Sequence, residues 1–316
     1  MASANSNTII SLGEPLIELS ATEEGRLDTV SSFITGFGGD ASNFAIAARR
    51  AGGNVAMLTQ VGNDPFGDAF LNMWKAEGVD VRLVKRSGEG PTGIYFISRS
   101  RGSHQFTYYR AGSAAARMTP ALLPEKAIQD ARLLHVTGVT QGISESACDT
   151  AFAAMDMARR GQTLISYDPN YRPALWPMQR ATDVIRESVS RADIVFPSME
   201  ETEMLFGPAD PEDAARKYLE LGAGIVILKL GIHGALLATR DDMTHIPPLR
   251  VNAVDCSGAG DTFAGAFAAA YMEGRTAAWS AGFAVVAAGL STTGIGCVTP
   301  IPMKQDVLSH MDPEDR

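Results

Sequence analysis

The chain has 316 residues, 45% of them apolar and 20% charged, a balance that fits a globular protein with one large α/β domain or two ordinary ones. Its formal charge is −9 and its lysines and arginines form no cluster, which argues against a nucleic-acid partner or an anionic membrane surface. A locally bound phosphate or carboxylate remains compatible with that charge. Apolar runs such as AGFAVVAAGL are too short to span a bilayer, and the polar opening MASANSNT has no signal-peptide core. Cys148, Cys256 and Cys297 are few and far apart, no pair has metal-ligand spacing, and a reduced, cytoplasmic protein is expected. The five histidines are scattered and form neither an HExxH helix nor part of a GxSxG elbow.

In chain order, TIISLGEPLIEL predicts a first strand and ASNFAIAARRAG a helix stopped by Gly52 and Gly53. VAMLTQVG predicts a strand, and DPFGDAFLNMWKAEG a helix capped by Asp64 with Pro65 in its first turn. RLLHVTG, TLISYDPN, DIVFPS, GIVILKLG and GALLATR read as further strands, separated by helical stretches that include 145–161 and 211–222. Continuous apolar strands alternating with helices predict an α/β fold, a mostly parallel sheet covered on both faces. Two segments, 14–37 and 86–110, break this rhythm with strand-like pieces such as GIYFISR and HQFTYYR. They predict a small antiparallel flap serving as a lid, or an ordinary extension of a sheet edge. No repeat, low-complexity tract or linker occurs, so one domain is expected over 1–316, with lid strands within 14–37 and 86–112.

Ligands in such sheets bind beyond the carboxyl ends of the strands. ISYDPNYRPALW ends a strand and presents Asp168, Asn170 and Arg172 in quick succession; FTYYRAGSAA closes another with Tyr108 and Arg110 on one face. An arginine fork bonds both oxygens of a carboxylate, so this pair points to an acidic substrate. A capped turn and a surface cross-strand pair are the plainer alternatives. In TGFGGDASN, Gly36, Gly38 and Ala41 fit the GxGxxA dinucleotide fingerprint, which allows an oxidoreductase. The next strand, however, ends in Gln60 where that fingerprint needs an acid. The other use of Gly38, Gly39, Asp40 and Asn43 is a close approach to a polyhydroxylated ligand. A phosphate-loop NTPase is set aside, because no lysine follows a glycine. In DCSGAGDTFAGAF, Asp261 reads either as a helix cap or as a base behind the amides of Gly258, Ala259 and Gly260, which suit an anion.

These last motifs resemble a known family. DCSGAGDTFAGAF resembles the carboxyl-terminal signature of the ribokinase (PfkB) family of sugar kinases, and GFGGDASNFAIAARRAG with VGNDPFGDAF resembles the amino-terminal one. The match keeps motif order over nearly the full length. YYRAGSAAARM and DPNYRPALW resemble the 2-keto-3-deoxygluconate kinases within that family. The resemblance implies a ribokinase-like three-layer α/β/α core. It also implies transfer of the ATP γ-phosphoryl group, with Mg²⁺, to the terminal (C6) hydroxyl of a keto-deoxy sugar acid. Asp261 would be the general base, and Gly258, Ala259 and Gly260 the anion hole. Gly38, Gly39, Asp40 and Asn43 would hold substrate hydroxyls. Tyr95, Tyr108, Arg110 and Arg172 would gather the carboxylate end, with Asp168 and Asn170 on the floor near the phosphates.

PSMEETEML resembles the family's NxxE motif, with Glu201 ordering Mg²⁺-bound water and Ser198 replacing the usual asparagine, one amide fewer. Lys229, Gly231 and Gly234 would meet the nucleotide. Asp255 matches a monovalent-cation ligand of potassium-activated relatives, although Cys256 stands where many of those have threonine. Fructokinase or ribokinase activity would keep the same motifs. A nicotinamide oxidoreductase and a non-catalytic sugar sensor are the alternatives from other classes. A homo-oligomer is expected from lid strands with exposed apolar faces.

Overall fold

Alternation along the first strand sets the layers. In the computed structural model, which describes residues 7–100 and 103–312, the chain opens on β1 (Thr8–Leu12). Ile9 packs into one apolar cluster, while Ile10 and Leu12 pack into another on the opposite face. Both faces of the sheet are therefore covered, as the continuous apolar runs predict.

The chain continues through β2 (Leu16–Glu24), β3 (Phe33–Gly38), α1 (Asp40–Arg50), β4 (Asn54–Gly62) and α2 (Pro65–Ala76). Next come β5 (Val84–Ser87), β6 (Gly93–Ser100), β7 (Ser103–Tyr109) and α3 (Glu125–Asp130). They lead to β8 (Leu133–Thr137), α4 (Gly138–Gly142), α5 (Glu145–Gly161) and β9 (Leu164–Asp168). Then follow α6 (Met178–Arg191), β10 (Ile194–Val195), α7 (Met199–Phe206), α8 (Pro211–Leu221) and β11 (Ile225–Lys229). The rest is β12 (Ala235–Ala238), β13 (Met243–Ile246), α9 (Ala259–Met272), α10 (Ala277–Ser291) and α11 (Lys304–His310). Residues 1–6, 101–102 and 313–316 lie outside the described residues.

The larger sheet has nine strands in the order β13-β12-β11-β10-β9-β8-β1-β4-β5, parallel from β11 to β5 with β12 and β13 antiparallel at one edge. Asp64 caps α2 by accepting from the Gly67 amide at 2.8 Å, and Pro65 opens that helix, as expected. The mostly parallel sheet covered on both faces, expected from the alternating pattern, is thus present, and with it the three-layer core that the resemblance implies.

Two expectations need correction. TIISLGEPLIEL is not one strand: it breaks at 13–15, leaving β1 in the core and β2 in a second sheet of order β3-β2-β6-β7. Nor is the lid purely antiparallel, because β2 and β6 pair in parallel and bring Glu18 opposite Tyr95. The dinucleotide reading of TGFGGDASN fails for the same topological reason. Gly36 and Gly38 lie on β3 of the lid sheet, not at the end of a core strand.

Small residues hold the two site-bearing helices together. A Cβ on Gly265 of α9 would sit 2.5 Å from the Phe44 carbonyl oxygen and 2.8 Å from the Ala47 Cβ of α1. The alanine- and glycine-rich sequence of α9 therefore serves close helix approach, which fixes the distance between the amino ends of α1 and α9.

Candidate active site

The amino end of α9 meets the amino end of α1 beneath the lid. Gly258 is the N-cap of α9 with φ of 72°, a left-handed conformation that favours glycine, and a Cβ there would lie 3.1 Å from the Cys297 carbonyl oxygen. No side chain caps this end, so the first-turn amides stay available for an anion. Asp261 sits in that first turn and is not the cap, so the capping reading of this residue fails. Its Oδ2 instead accepts from the Asn43 amide at 2.9 Å.

Four carboxylates and one lysine converge on the floor. Asn170 donates from its side chain to Asp40 Oδ2 at 3.2 Å and from its backbone to Asp168 Oδ1 at 3.1 Å. Its φ of 39° is rare for a residue with a side chain, and asparagine tolerates it better than most. Asp168 Oδ2 pairs with Lys229 Nζ at 2.6 Å, and that ammonium lies 3.4 Å from where a Cβ on Gly260 would be. Lys229 is thus no strand-end charge in solvent: it lies beside Gly260 at the amino end of α9. Burial opposes its charge, yet Asp168, Glu201 and Asp261 outweigh burial and hold its proton more tightly than usual.

The same burial acts on the acids. Asp261 is pushed up to about 6 by desolvation and by Asp40, against the lowering pull of Asn43, Lys229 and Arg172. Asp168 is pushed up to about 7 by burial, with Lys229 pulling down and Glu201 and Asp261 adding to the rise.

Glu201 is buried rather than exposed on its helix. Its Oε1 accepts from the Ser198 amide at 2.5 Å and its Oε2 from the Tyr171 amide at 2.9 Å. Ser198 caps α7, its hydroxyl accepting from the Glu201 amide at 3.3 Å, so the two form a capping box. Ser198 therefore has a role that needs no asparagine amide.

The lid supplies the aromatic wall. Tyr95 and Tyr108 stack with centroids 5.6 Å apart, and the Arg110 guanidinium lies 5.6 Å from the Tyr108 ring centre. Arg110 is not free for a ligand charge. Its Nε donates to Glu14 Oε2 at 2.6 Å, and Ser113 donates to the other oxygen of Glu14 at 2.5 Å. Burial pushes the Glu14 carboxyl up while Arg110 and Ser113 pull it down. Arg172 differs: it donates to the Tyr171 carbonyl at 3.2 Å and forms no ion pair among the described residues. Burial raises both Asp261 and Tyr108, and Arg172 lies close enough to each to oppose part of that rise.

The fold brings together Gly38, Gly39, Asp40, Asn43, Tyr95, Tyr108, Arg110, Asp168, Asn170, Arg172, Lys229 and 258–261. Gly231 opens a short 3-10 turn (Gly231–His233) after β11 and is exposed, and Gly234 closes that turn. Asp255 ties its own loop to the one at Gly296, accepting from the Ser257 and Gly296 amides at 2.9 Å each. Glu14, Glu18 and Cys297 join this site without having been among its candidates from sequence. Two glutamates inside the apolar run LGEPLIEL were the available signal, since glutamate is seldom buried without a partner. Cys148, Cys256 and Cys297 are all free thiols.

An uncapped helix amino end with an adjoining buried carboxylate, roofed by β-strands, is the kind of arrangement phosphoryl transfer requires. The comparisons agree: residues 6–304 match the model of the pfkB family carbohydrate kinases, and the chain belongs to that family. It is 37% identical to the 2-dehydro-3-deoxygluconokinase of Thermoproteus tenax over 90% of this chain and 87% of that one. The Bacillus subtilis (strain 168) enzyme of the same name is 38% identical over 84% and 83%. A probable fructokinase of Arabidopsis thaliana is 30% identical over 97% and 96%. An E. coli structure holding ATP and Mg²⁺ superposes with a TM-score of 0.89 at 26% identity, covering 96% of this chain and 99% of that one.

Proposed function

We propose that this carbohydrate kinase transfers the γ-phosphoryl group of ATP to the terminal hydroxyl of 2-keto-3-deoxygluconate, giving the 6-phosphate and ADP. The single observation that carries the reading is Asp261 held by Asn43 at the amino end of α9, beside uncapped amides. Asp261 removes the proton of the C6 hydroxyl as that oxygen attacks the γ-phosphorus and the bond to the β-phosphate oxygen breaks. The amides of Gly258, Ala259 and Gly260 and the helix dipole stabilise the charge spreading over the phosphoryl oxygens. Lys229, beside Gly260, adds a fixed positive charge. Gly38, Gly39, Asp40 and Asn43 hold the sugar hydroxyls, and Gly231 and Gly234 border the nucleotide.

Arg172 is our choice for the substrate carboxylate, because Glu14 already compensates Arg110. Arg110 then keeps Tyr108 in place and contributes little net charge. Mg²⁺ would come with the nucleotide phosphates, and Glu201 and Asp168 are the carboxylates that would hold its water. Among the described residues no three His, Cys, Asp or Glu gather as a protein cage for a metal. That ion neutralises phosphate charge when bound. A potassium requirement would rest on Asp255, and equal rates in potassium and tetramethylammonium chloride would retire it.

The reading treats 1–316 as one cytoplasmic kinase unit of core plus lid; no helix among the described residues is long and apolar enough to cross a membrane. Ile34 and Phe106 on the lid are 65% and 49% exposed, which supports self-association through that sheet. Light scattering checks this, and a monomer at micromolar concentration would contradict it. The kinase reading itself is tested by replacing Asp261: Asp261→Asn should remove most ADP release, and retained activity would sink the assignment.

A further inference from the structure

Tyr95 lies on β6 directly opposite Glu18 on β2, so both side chains share one face of the lid sheet. The Tyr95 hydroxyl donates to Glu18 Oε2. Glu18 is itself buried, at 6% exposure, and its other oxygen accepts from the Ser20 hydroxyl at 2.8 Å. The Cys297 thiol stands 3.8 Å from the same Oε2 and 3.9 Å from the Tyr95 oxygen. Burial and the neighbouring carboxylates keep this thiol protonated, so it too is a donor.

Donors thus converge on Glu18, as an acceptor-only carboxylate requires. A phenol has one proton, and Tyr95 has spent it on Glu18. The Tyr95 oxygen lies 2.6 Å from where a Cβ on Gly38 would be, at the edge of the glycine pair assigned to the sugar hydroxyls. What it offers a ligand there is a lone pair.

We infer that Glu18 is a positioning residue that makes Tyr95 an acceptor-only contact, so that Tyr95 reads a hydroxyl of the substrate and not its carboxylate or keto oxygen. This rests on the proposed function for its choice of substrate, and it revises the role of Tyr95 from carboxylate contact to hydroxyl reader. The carboxylate end then falls to Arg172.

The test compares kcat/KM for 2-keto-3-deoxygluconate with that for its 4-deoxy and 5-deoxy analogues. It uses the parent enzyme, Tyr95→Phe, Glu18→Gln and the double variant. In the parent, one analogue is expected to lose about 10- to 100-fold, because a buried acceptor is left unpaired. Tyr95→Phe should shrink that ratio to about twofold, since no acceptor remains to be orphaned. Glu18→Gln should shrink it as well, because its amide donates to the phenol oxygen and occupies the lone pair. In the Tyr95→Phe background, Glu18→Gln should add less than about twofold.

Each ratio compares substrates on one preparation, so the fraction of folded enzyme cancels. If Glu18→Gln does not fold, the Tyr95→Phe ratio alone decides. An undiminished ratio in Tyr95→Phe, or a full Glu18→Gln penalty in the double variant, overturns the inference. If the parent phosphorylates neutral sugars and ignores the acid, the substrate reading fails. The same series on deoxy analogues of that sugar then still tests Tyr95 as an acceptor.

Discussion

Asp261 combines two consequences of one environment. Its carboxyl is pushed up to about 6 by burial and by Asp40, and a general base must be unprotonated to work. The acid limb of kcat/KM should therefore fall as pH drops through about 6, and a limb below pH 5 would mean that Asp261 is not the group titrating. Asp261→Asn should lose about 10²- to 10⁴-fold in kcat, measured by coupled ADP release. The stability sign runs the other way from an ordinary salt-bridged carboxylate. A raised folded value means the folded state binds this proton more tightly, so the stabilisation is present at low pH and is lost as pH rises towards 6. Asp261→Asn should accordingly melt no lower than the parent at pH 8 by calorimetry, and a clear drop would show a structural role instead. Arg172→Lys should raise KM for the acid about tenfold with little change in kcat, because a point charge replaces a bidentate fork. An unchanged KM would remove Arg172 from the substrate site.

At the scale of elements, the site depends on how closely α1 and α9 approach. Gly265→Ala places a methyl 2.5 Å from the Phe44 carbonyl, so the helices must part or tilt. The expected cost is about 1–3 kcal/mol by chemical denaturation, with a fall in kcat as Asn43 moves from Asp261. Full stability and activity in this variant would mean the helices are not spaced by that contact. The strands, helices and caps of the core were legible because each obeys a local rule: apolar alternation, Asp64 before Pro65, glycine after a helix. The glycine-rich turn at 258–261 was legible for the same reason. What sequence left hidden is non-local. The break at 13–15 that sends β2 into the lid follows from pairing with β6, some eighty positions away along the chain. Glu14 against Arg110, and Glu18 against Tyr95, exist only once those sheets meet. Ser198 looked like a lost asparagine, whereas its capping box with Glu201 appears only in three dimensions.

Across the whole molecule, core and lid divide the chemistry. The core supplies Asp261, Lys229 and the uncapped amides of α9, the parts that the proposed phosphoryl transfer uses whatever the sugar. The lid and the 168–172 loop carry Tyr95, Tyr108 and Arg172, which the proposed function makes the determinants of the sugar. The most direct measurement is ADP release with Mg·ATP against 2-keto-3-deoxygluconate, its galacto epimer, fructose and ribose. Turnover confined to the two acids is the predicted result. Comparable turnover of fructose or ribose, with the acids inert, would contradict it, leaving Asp261 and its anion hole in place but removing the acid from the site.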